Sequence, residues 1–392
     1  MDKKIIQTNG QRLRQVVQLY EWLEMFSTNG PKRGRLKRLR KQRPAREALL
    51  FLVQPSHLRG ATEAIGSATI RQRGKICDLP SLELRNHNAK YNPPQDPAVW
   101  PSVAAATKRA NEFRYTILPY FYSLHFRASL YGDTVVRPVF YEFPTDKETF
   151  GLSEQFMVGP GLLVAPVIYQ WKRSVDAYIP TGSDFYSVYE HAYGQKIPSG
   201  LSSYPAPITW KTPAFVRGGA IIPRQSSATT TTAARAGNFN LLIAQGSGSD
   251  RKATGDFFWD DGDSLFKSFD SHNYTSAAFT YTLSDSGASL EIATTVARAP
   301  SLPRLAYLEI FDYPKAAIWT SLTLDKKSIA ADETTSSYNP ESKILTLAIK
   351  EPIDFSAAKT IQLQWSHESS TSSARISFIG LLTAVIALIF RQ

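Results

Sequence analysis

Thr134-Val135-Val136-Arg137-Pro138-Val139-Phe140-Tyr141-Glu142-Phe143 changes the period of this chain. Before it, from Pro101 to Leu130, the pattern is helical. Pro101 suits a first helical turn, and Ala104, Ala105, Ala106 and Ala110 favour helix. Phe113, Ile117, Tyr120, Phe121 and Leu124 recur at helical spacing. Pro119 lacks an N–H and should divide this run into two helices meeting near Leu118. After it come short β-branched and aromatic runs punctuated by Gly, Pro, Asp and Ser. They are Val135–Phe143, Leu162–Ile168, Ser174–Tyr178, Asp184–Tyr189 and Ala214–Ile222, and they predict an all-β module of short antiparallel strands.

Ser226–Ala236, rich in Ser, Thr and Ala, reads as a loop or linker. A second strand series follows, through Phe239–Ala244, Thr254–Trp259, Ser264–Ser268, Thr275–Leu283, Ser289–Thr295, Arg304–Phe311, Lys343–Ala348 and Thr360–Trp365. Turn signals fall at Gly246-Ser247-Gly248, Asp260-Asp261-Gly262 and Asn339-Pro340. A second sandwich is expected there, and no repeat of fixed period runs through the chain.

The 392 residues allow two or three domains, and 43% hydrophobic content supports a packed core. One cysteine, Cys77, excludes an intrachain disulfide framework. The net charge of +11 is unevenly placed: residues 1–60 hold 14 Lys/Arg against 4 Asp/Glu, and the other residues hold 31 against 30. The run Lys32 to Arg43 is the basic centre. It has the charge to neutralise phosphates on nucleic acid or anionic lipid, but a solvated tail accounts for it better, and no specific nucleic acid is expected. Basic residues at the start are not followed by an apolar stretch, so no secretory signal is read there.

Several motifs stand in order along the chain. Arg85-Asn86-His87-Asn88 comes first, then helical Trp100 to Tyr122, then Val135 to Phe140. Leu162-Leu163-Val164-Ala165-Pro166-Val167 follows, then Val216-Arg217-Gly218-Gly219-Ala220-Ile221-Ile222-Pro223, then Phe258-Trp259-Asp260-Asp261-Gly262. The ordered set resembles glycoside hydrolase family 31, the retaining α-glucosidases, over about residues 84–368. The resemblance implies a mainly β fold: two C-terminal β-sandwich domains preceded by the last helical portion of a truncated (β/α)8 barrel. It divides the chain into 1–83, a basic segment that is disordered or misjoined; 84–131, the end of the barrel; 132–224, a proximal sandwich; 225–368, a distal sandwich; and 369–392, a Ser-rich spacer with an apolar tail.

By the same resemblance the reaction is hydrolysis of terminal α-linked glucose from oligosaccharides, with no metal or organic cofactor. His87 is then a substrate-binding residue and Arg85 supports its pocket, as befits groups at the C-terminal end of a barrel strand. On its own chemistry a lone His is more often structural. Retaining hydrolysis needs two carboxyl groups flanking the scissile bond. In the family both are Asp, in a Trp-x-Asp-Met-Asn-like strand end and a Gly-Asp-Asn-like loop. Neither motif occurs in residues 1–84, whose only aspartates are Asp2 and Asp78. The chain is therefore expected to be an inactive C-terminal fragment as written, with no catalytic residue of its own. A membrane-associated carbohydrate-binding sandwich is the alternative.

Asp260, Asp261 and Asp263 around Gly262 suggest a catalytic or calcium cluster, but the calcium-loop spacing lacks a closing Glu. A turn, with Asp bonding its own backbone and Gly at positive φ, is the better reading. Arg137, inside an apolar run, needs a carboxylate, with Asp133 and Glu142 as candidates. Gly218-Gly219 marks a strand bend. His57, His125, His191, His272 and His367 make no metal-ligand pattern. Asn273-Tyr274-Thr275 is a glycosylation sequon. The apolar run 376–390, after a Ser-rich spacer, is shorter than the ~20 residues of a spanning helix. It reads as a lipid-anchor signal, a tail anchor or a buried helix. Membrane association or the secretory pathway is expected from the tail and the family.

Overall fold

The computed structural model describes residues 96–368, apart from 170–171, 190–191, 209, 211, 249–250, 265, 267 and 357–358. Within these limits the chain forms two compact units. One runs to Gly218 and takes in Arg224–Arg235; the other comprises Gly219–Pro223 and the residues from Ala236 onward.

The first unit opens with two helices, α1 (Pro101–Thr116) and α2 (Leu118–Tyr131). Pro101 stands in the first turn of α1 and Pro119 in the first turn of α2, where a missing N–H costs nothing. The break falls at Ile117, one residue from the predicted junction. Val103, Ala106, Thr107, Ala110 and Arg114 make the buried stripe of α1 at three- and four-residue spacing.

The strands that follow are β1 (Val136–Pro138), β2 (Phe156–Val158), β3 (Leu162–Val164), β4 (Ser174–Ile179), β5 (Phe185–Ser187), β6 (Lys196–Ile197), β7 (Gly200–Pro205) and β8 (Ala214–Arg217). Six form one antiparallel sheet in the order β1-β2-β3-β8-β5-β6, and β4 pairs with β7 alone. Met157, Leu163, Phe185 and Phe215 from the sheet meet Ala177, Ile179 and Tyr204 from the ribbon in one core. Rings interlock there, Tyr204 and Phe215 with centroids 4.9 Å apart and Phe143 and Phe185 at 5.9 Å.

The expected strand Val135–Phe143 ends early. Only Val136–Pro138 is extended, and Val139–Glu142 forms the short helix α3. That turn brings Glu142 back toward Arg137, as described below. The expected strand Ala214–Ile222 is two strands, β8 and β9 (Ile221–Gln225), in different sheets. Gly219, at φ 90, lies between them, so the Gly-Gly pair breaks the strand rather than bending it. Within the expected loop 226–236, Thr231–Arg235 is a helical turn, α4.

The second unit adds β10 (Phe239–Ala244), β11 (Lys252–Trp259), β12 (Thr275–Leu283), β13 (Gly287–Ala297), β14 (Leu305–Phe311), β15 (Thr323–Leu324), β16 (Lys327–Ser328), β17 (Ser337–Asn339), β18 (Ile344–Ile353) and β19 (Thr360–Ser366). One sheet has the order β17-β18-β14-β10-β9 and the other β11-β12-β13-β19-β15-β16. Alternate residues point into a shared core: Leu241 and Ile243, Leu308 and Ile310, Leu345 and Leu347 from the first sheet, against Phe257 and Trp259, Phe279 and Tyr281, Leu363 and Trp365 from the second. This period of two is what a sandwich requires of each inner face. The pair β10–β14 is parallel, while β11–β12, β12–β13, β13–β19 and β14–β18 are antiparallel. The mainly β fold with a sandwich after a helical pair is as expected. The expected strand Ser264–Ser268 is absent: those of its residues that are described lie in the loop joining β11 to β12.

Candidate functional site

Arg85 and His87 lie outside the described residues, as do the basic run 32–43 and the apolar tail 376–390. What the structure describes is the framework on their C-terminal side. Its first element is the seat of α2. The Tyr120 hydroxyl donates to the Val158 carbonyl at 2.9 Å and accepts from the Gly161 N–H at 3.1 Å. Val158 ends β2 and Gly161 precedes β3, so one phenol ties the helix to the connection between two strands. Gly159 in that connection has φ 56, and a Cβ there would lie 2.5 Å from both the Tyr120 hydroxyl and a Leu124 methyl. Only glycine fits.

A charged cluster sits at the end of the same sheet. Glu142 binds Arg137 at 2.5 Å and Arg217 at 3.1 Å, with the Arg137 and Glu142 side chains 9% and 12% exposed. Of the two carboxylates expected for Arg137, Glu142 is the partner; Asp133 pairs with Arg127 at 2.9 Å. Arg137 also donates to the Thr134 carbonyl. Arg217 lies 4.4 Å over the Phe143 ring. Burial lowers its ordinary value, and the Glu142 charge opposes that. Both arginines are fully engaged, so this is a structural ion cluster. Asp146 is a second fixed carboxylate: it accepts from Tyr178, from the N–H and hydroxyl of Thr181, and from the Glu148 N–H. These bonds hold it below its ordinary value against the opposing cost of burial.

In the second unit the aspartates around Gly262 are spent on the turn, as the sequence implies. The Gly262 N–H donates to Asp260 at 2.7 Å, and the N–H groups of Asp263 and Ser264 donate to Asp261 at 3.1 and 3.0 Å. Gly262 has φ 78. The Ser264 N–H, at the start of the expected strand, is thus turned back onto Asp261 rather than toward a neighbouring strand. The Ser264 hydroxyl also bonds Asp261, and with those N–H groups holds its carboxyl down at about 2.

The other Asp260 oxygen has a partner not foreseen, Nε2 of His272 at 2.9 Å, with both side chains about 5% exposed or less. Phe266 stacks on the His272 ring at 3.8 Å. Trp259-Asp260 and His272 stand twelve residues apart, with only the hydrophobic context of Tyr274 as a sequence signal. His367 is buried too. Its Nε2 donates to the Asp285 carbonyl at 2.8 Å, and its Nδ1 is hydrogen-bonded to the Tyr313 hydroxyl at 3.2 Å. Tyr313 in turn accepts from the Trp365 indole at 2.9 Å. Burial raises the Tyr313 phenol above its ordinary value. Among the described residues no three His, Cys, Asp or Glu come together as a metal site, and no helix is long and apolar enough to cross a membrane.

The family profile of the glycosyl hydrolase family 31 TIM-barrel domain matches residues 83–124, which include Arg85 and His87. The profile of the family 31 C-terminal domain matches residues 132–222. An α-glucosidase of Hordeum vulgare is 39% identical over 181 residues, 46% of this chain and 20% of its own length. The intestinal sucrase-isomaltase of Oryctolagus cuniculus is 32% identical over 290 residues, 72% of this chain and 15% of its own. The lysosomal α-glucosidase of Bos taurus is 34% identical over 285 residues, 63% of this chain and 30% of its own. The chain thus spans less than a third of the length of each. In structure, a family 31 dextranase of Flavobacterium johnsoniae complexed with glucose superposes over 76% of this chain and 37% of its own, with a TM-score of 0.63 at 19% identity. That likeness is one of fold.

Proposed function

Because this chain belongs to glycoside hydrolase family 31 and carries its C-terminal part, we propose that it serves the hydrolysis of terminal α-linked glucose from oligosaccharides. Residues 84–131 are the end of the catalytic barrel, 132–224 the proximal sandwich and 225–368 the distal one. His87 binds hydroxyls of the sugar, and Arg85 supports that pocket. The described residues hold that barrel end in place: α1 and α2 lie in or beside the matched barrel segment, and Tyr120 anchors them to the strands of the matched C-terminal domain. That anchorage across the two matched segments is the observation that carries the reading. Residues 1–392 provide neither of the two carboxyl motifs the retaining mechanism needs, and the proposed chemistry requires no metal or organic cofactor. A free-standing carbohydrate-binding sandwich is less well supported, since these relatives are named as glucosidases or as sucrase-isomaltase.

Two of the relatives are named as intestinal and lysosomal enzymes. We place this chain in the secretory pathway or at its membranes by that analogy, with 376–390 as the membrane-associating segment. The chemistry is tested in two steps. Purified residues 1–392 should release no nitrophenol from a nitrophenyl α-glucoside. A chimera of the Hordeum vulgare α-glucosidase carrying residues 84–368 in place of its matching segment should hydrolyse maltose, and His87→Ala in that chimera should abolish turnover. Turnover by 1–392 would mean that it holds a catalytic carboxyl pair of its own. A folded chimera indifferent to His87→Ala would remove His87 from the substrate site.

A further inference from the structure

We propose that Asn273 carries an N-linked glycan, and that the glycan is attached before the distal sandwich closes and not after. The chain contains one Asn-x-Ser/Thr sequence in which x is not Pro, Asn273-Tyr274-Thr275. The fold treats its three side chains differently. Asn273 is exposed, in the loop just ahead of β12, while His272 and Tyr274 on either side are buried. The two flanking rings lie 6.0 Å apart and nearly parallel, at 20°. His272 is held by Asp260, and Arg298 covers Tyr274 at 5.4 Å. With both neighbours turned inward, the Asn273 amide points to water, and no hydrogen bond ties it back to the described residues. A bulky, hydrated oligosaccharide is tolerated only at such a position.

Thr275 has the opposite fate. It is 2% exposed, its backbone pairs with Trp259 and Ala297, and its hydroxyl accepts from the Ala299 N–H at 3.2 Å. The sequon is recognised through this hydroxyl, so the closed sandwich shows the acceptor and hides the signal. Transfer therefore belongs to the chain before β11, β12 and β13 have zipped. The reaction uses a lipid-pyrophosphate-linked oligosaccharide as donor. The Asn273 amide nitrogen forms a bond to the sugar C1, the C1–O bond to pyrophosphate breaks, the amide proton passes to a base, and lipid pyrophosphate leaves.

This inference rests on the secretory part of the preceding reading and not on its chemistry. Protein from its own cells is digested after glycosidase treatment in 18O water, and membrane fractions are tested for protease protection of the chain. A lumenal chain whose Asn273 peptide appears only after glycosidase, as the 18O-labelled Asp form, is the expected result. A lumenal chain with unmodified Asn273 overturns the glycan alone. A chain never found in the lumen overturns both the glycan and the secretory placement, while leaving the α-glucoside tests untouched. The order of events is read separately, with purified full-length chain, oligosaccharyltransferase and a lipid-pyrophosphate chitobiose donor. Urea-unfolded chain diluted directly into the reaction should be modified, and its Asn273→Gln and Thr275→Ala variants should not. Folded chain should stay unmodified, and equal modification of folded and unfolded chain would overturn the claim that attachment precedes closure.

Discussion

The hydroxyl of Tyr120 occupies the space that a Cβ on Gly159 would need, the two separated by 2.5 Å. The helix and the strand connection have thus been fitted at a single point, with a hydrogen-bonded phenol on one side and the absence of a side chain on the other. Gly159→Ala meets two obstacles, a φ of 56 and contacts with Tyr120 and Leu124. Together these should cost about 2–4 kcal/mol. Tyr120→Phe should cost about 1–3 kcal/mol, because it leaves the Val158 carbonyl and the Gly161 N–H without this partner. Chemical denaturation of the two single variants and the double variant checks the relationship. The double should be less destabilised than the sum of the singles, since removing the hydroxyl relieves one of the contacts. Strict additivity would show that the two sites do not meet.

Glu142 is shared by two arginines, and a neutral amide cannot serve both. Glu142→Gln should destabilise the fold by about 3 kcal/mol, leaving two guanidinium groups facing each other without a counter-charge. Arg137→Lys should also be destabilising, though less so, since an ammonium loses the fork that reaches the Thr134 carbonyl and Glu142 together. Urea midpoints at neutral pH are the measurement. A Glu142→Gln midpoint equal to that of the parent would mean that the cluster is solvated.

Much of this framework was legible in the residues because it depends on local rules. Pro119 divides α1 from α2 for want of an N–H, and alternating apolar residues such as Phe239, Leu241 and Ile243 mark a sandwich face. The misses are of another kind. The run Val135–Phe143 has strand composition throughout, but α3 interrupts it where Glu142 must fold back onto Arg137. Composition within nine residues cannot register a contact that also recruits Arg217, seventy-five residues away. The pair Asp260–His272 was missed for the same reason. The aspartate is explained by its turn, so nothing local demands a second partner.

That pair makes its own prediction. His272→Ala should cost about 1–3 kcal/mol by removing a buried hydrogen-bond partner of Asp260. It should also release Phe266 from its stacking partner. Asp260→Ala should cost more, because it also strips the Gly262 N–H of its acceptor. A thermal melt of each variant checks the order. If His272→Ala proved the more damaging, packing against Phe266, Phe269 and Tyr274 would outweigh the hydrogen bond.

Asp261 supplies the pH dependence. Its carboxyl is held down at about 2, first by the Ser264 hydroxyl, then by the N–H groups of Ser264 and Asp263. A carboxyl depressed in the folded state favours folding wherever it is ionised in both states. Its contribution is therefore complete above the ordinary carboxyl value of 3.8 and fades as pH falls from there through about 2. Neutral and mildly acidic solutions, down to about pH 5, should leave the β11–β12 turn intact. Carboxyl carbon NMR of the folded protein should show Asp261 titrating well below free aspartate. Ser264→Ala removes the hydroxyl and should move that titration upward, while Asp332, held down by Thr334 and Thr335 instead, should not move. An Asp261 titration unchanged by Ser264→Ala would assign the depression to the backbone donors alone, and the turn would then owe its acid stability to main chain rather than side chain.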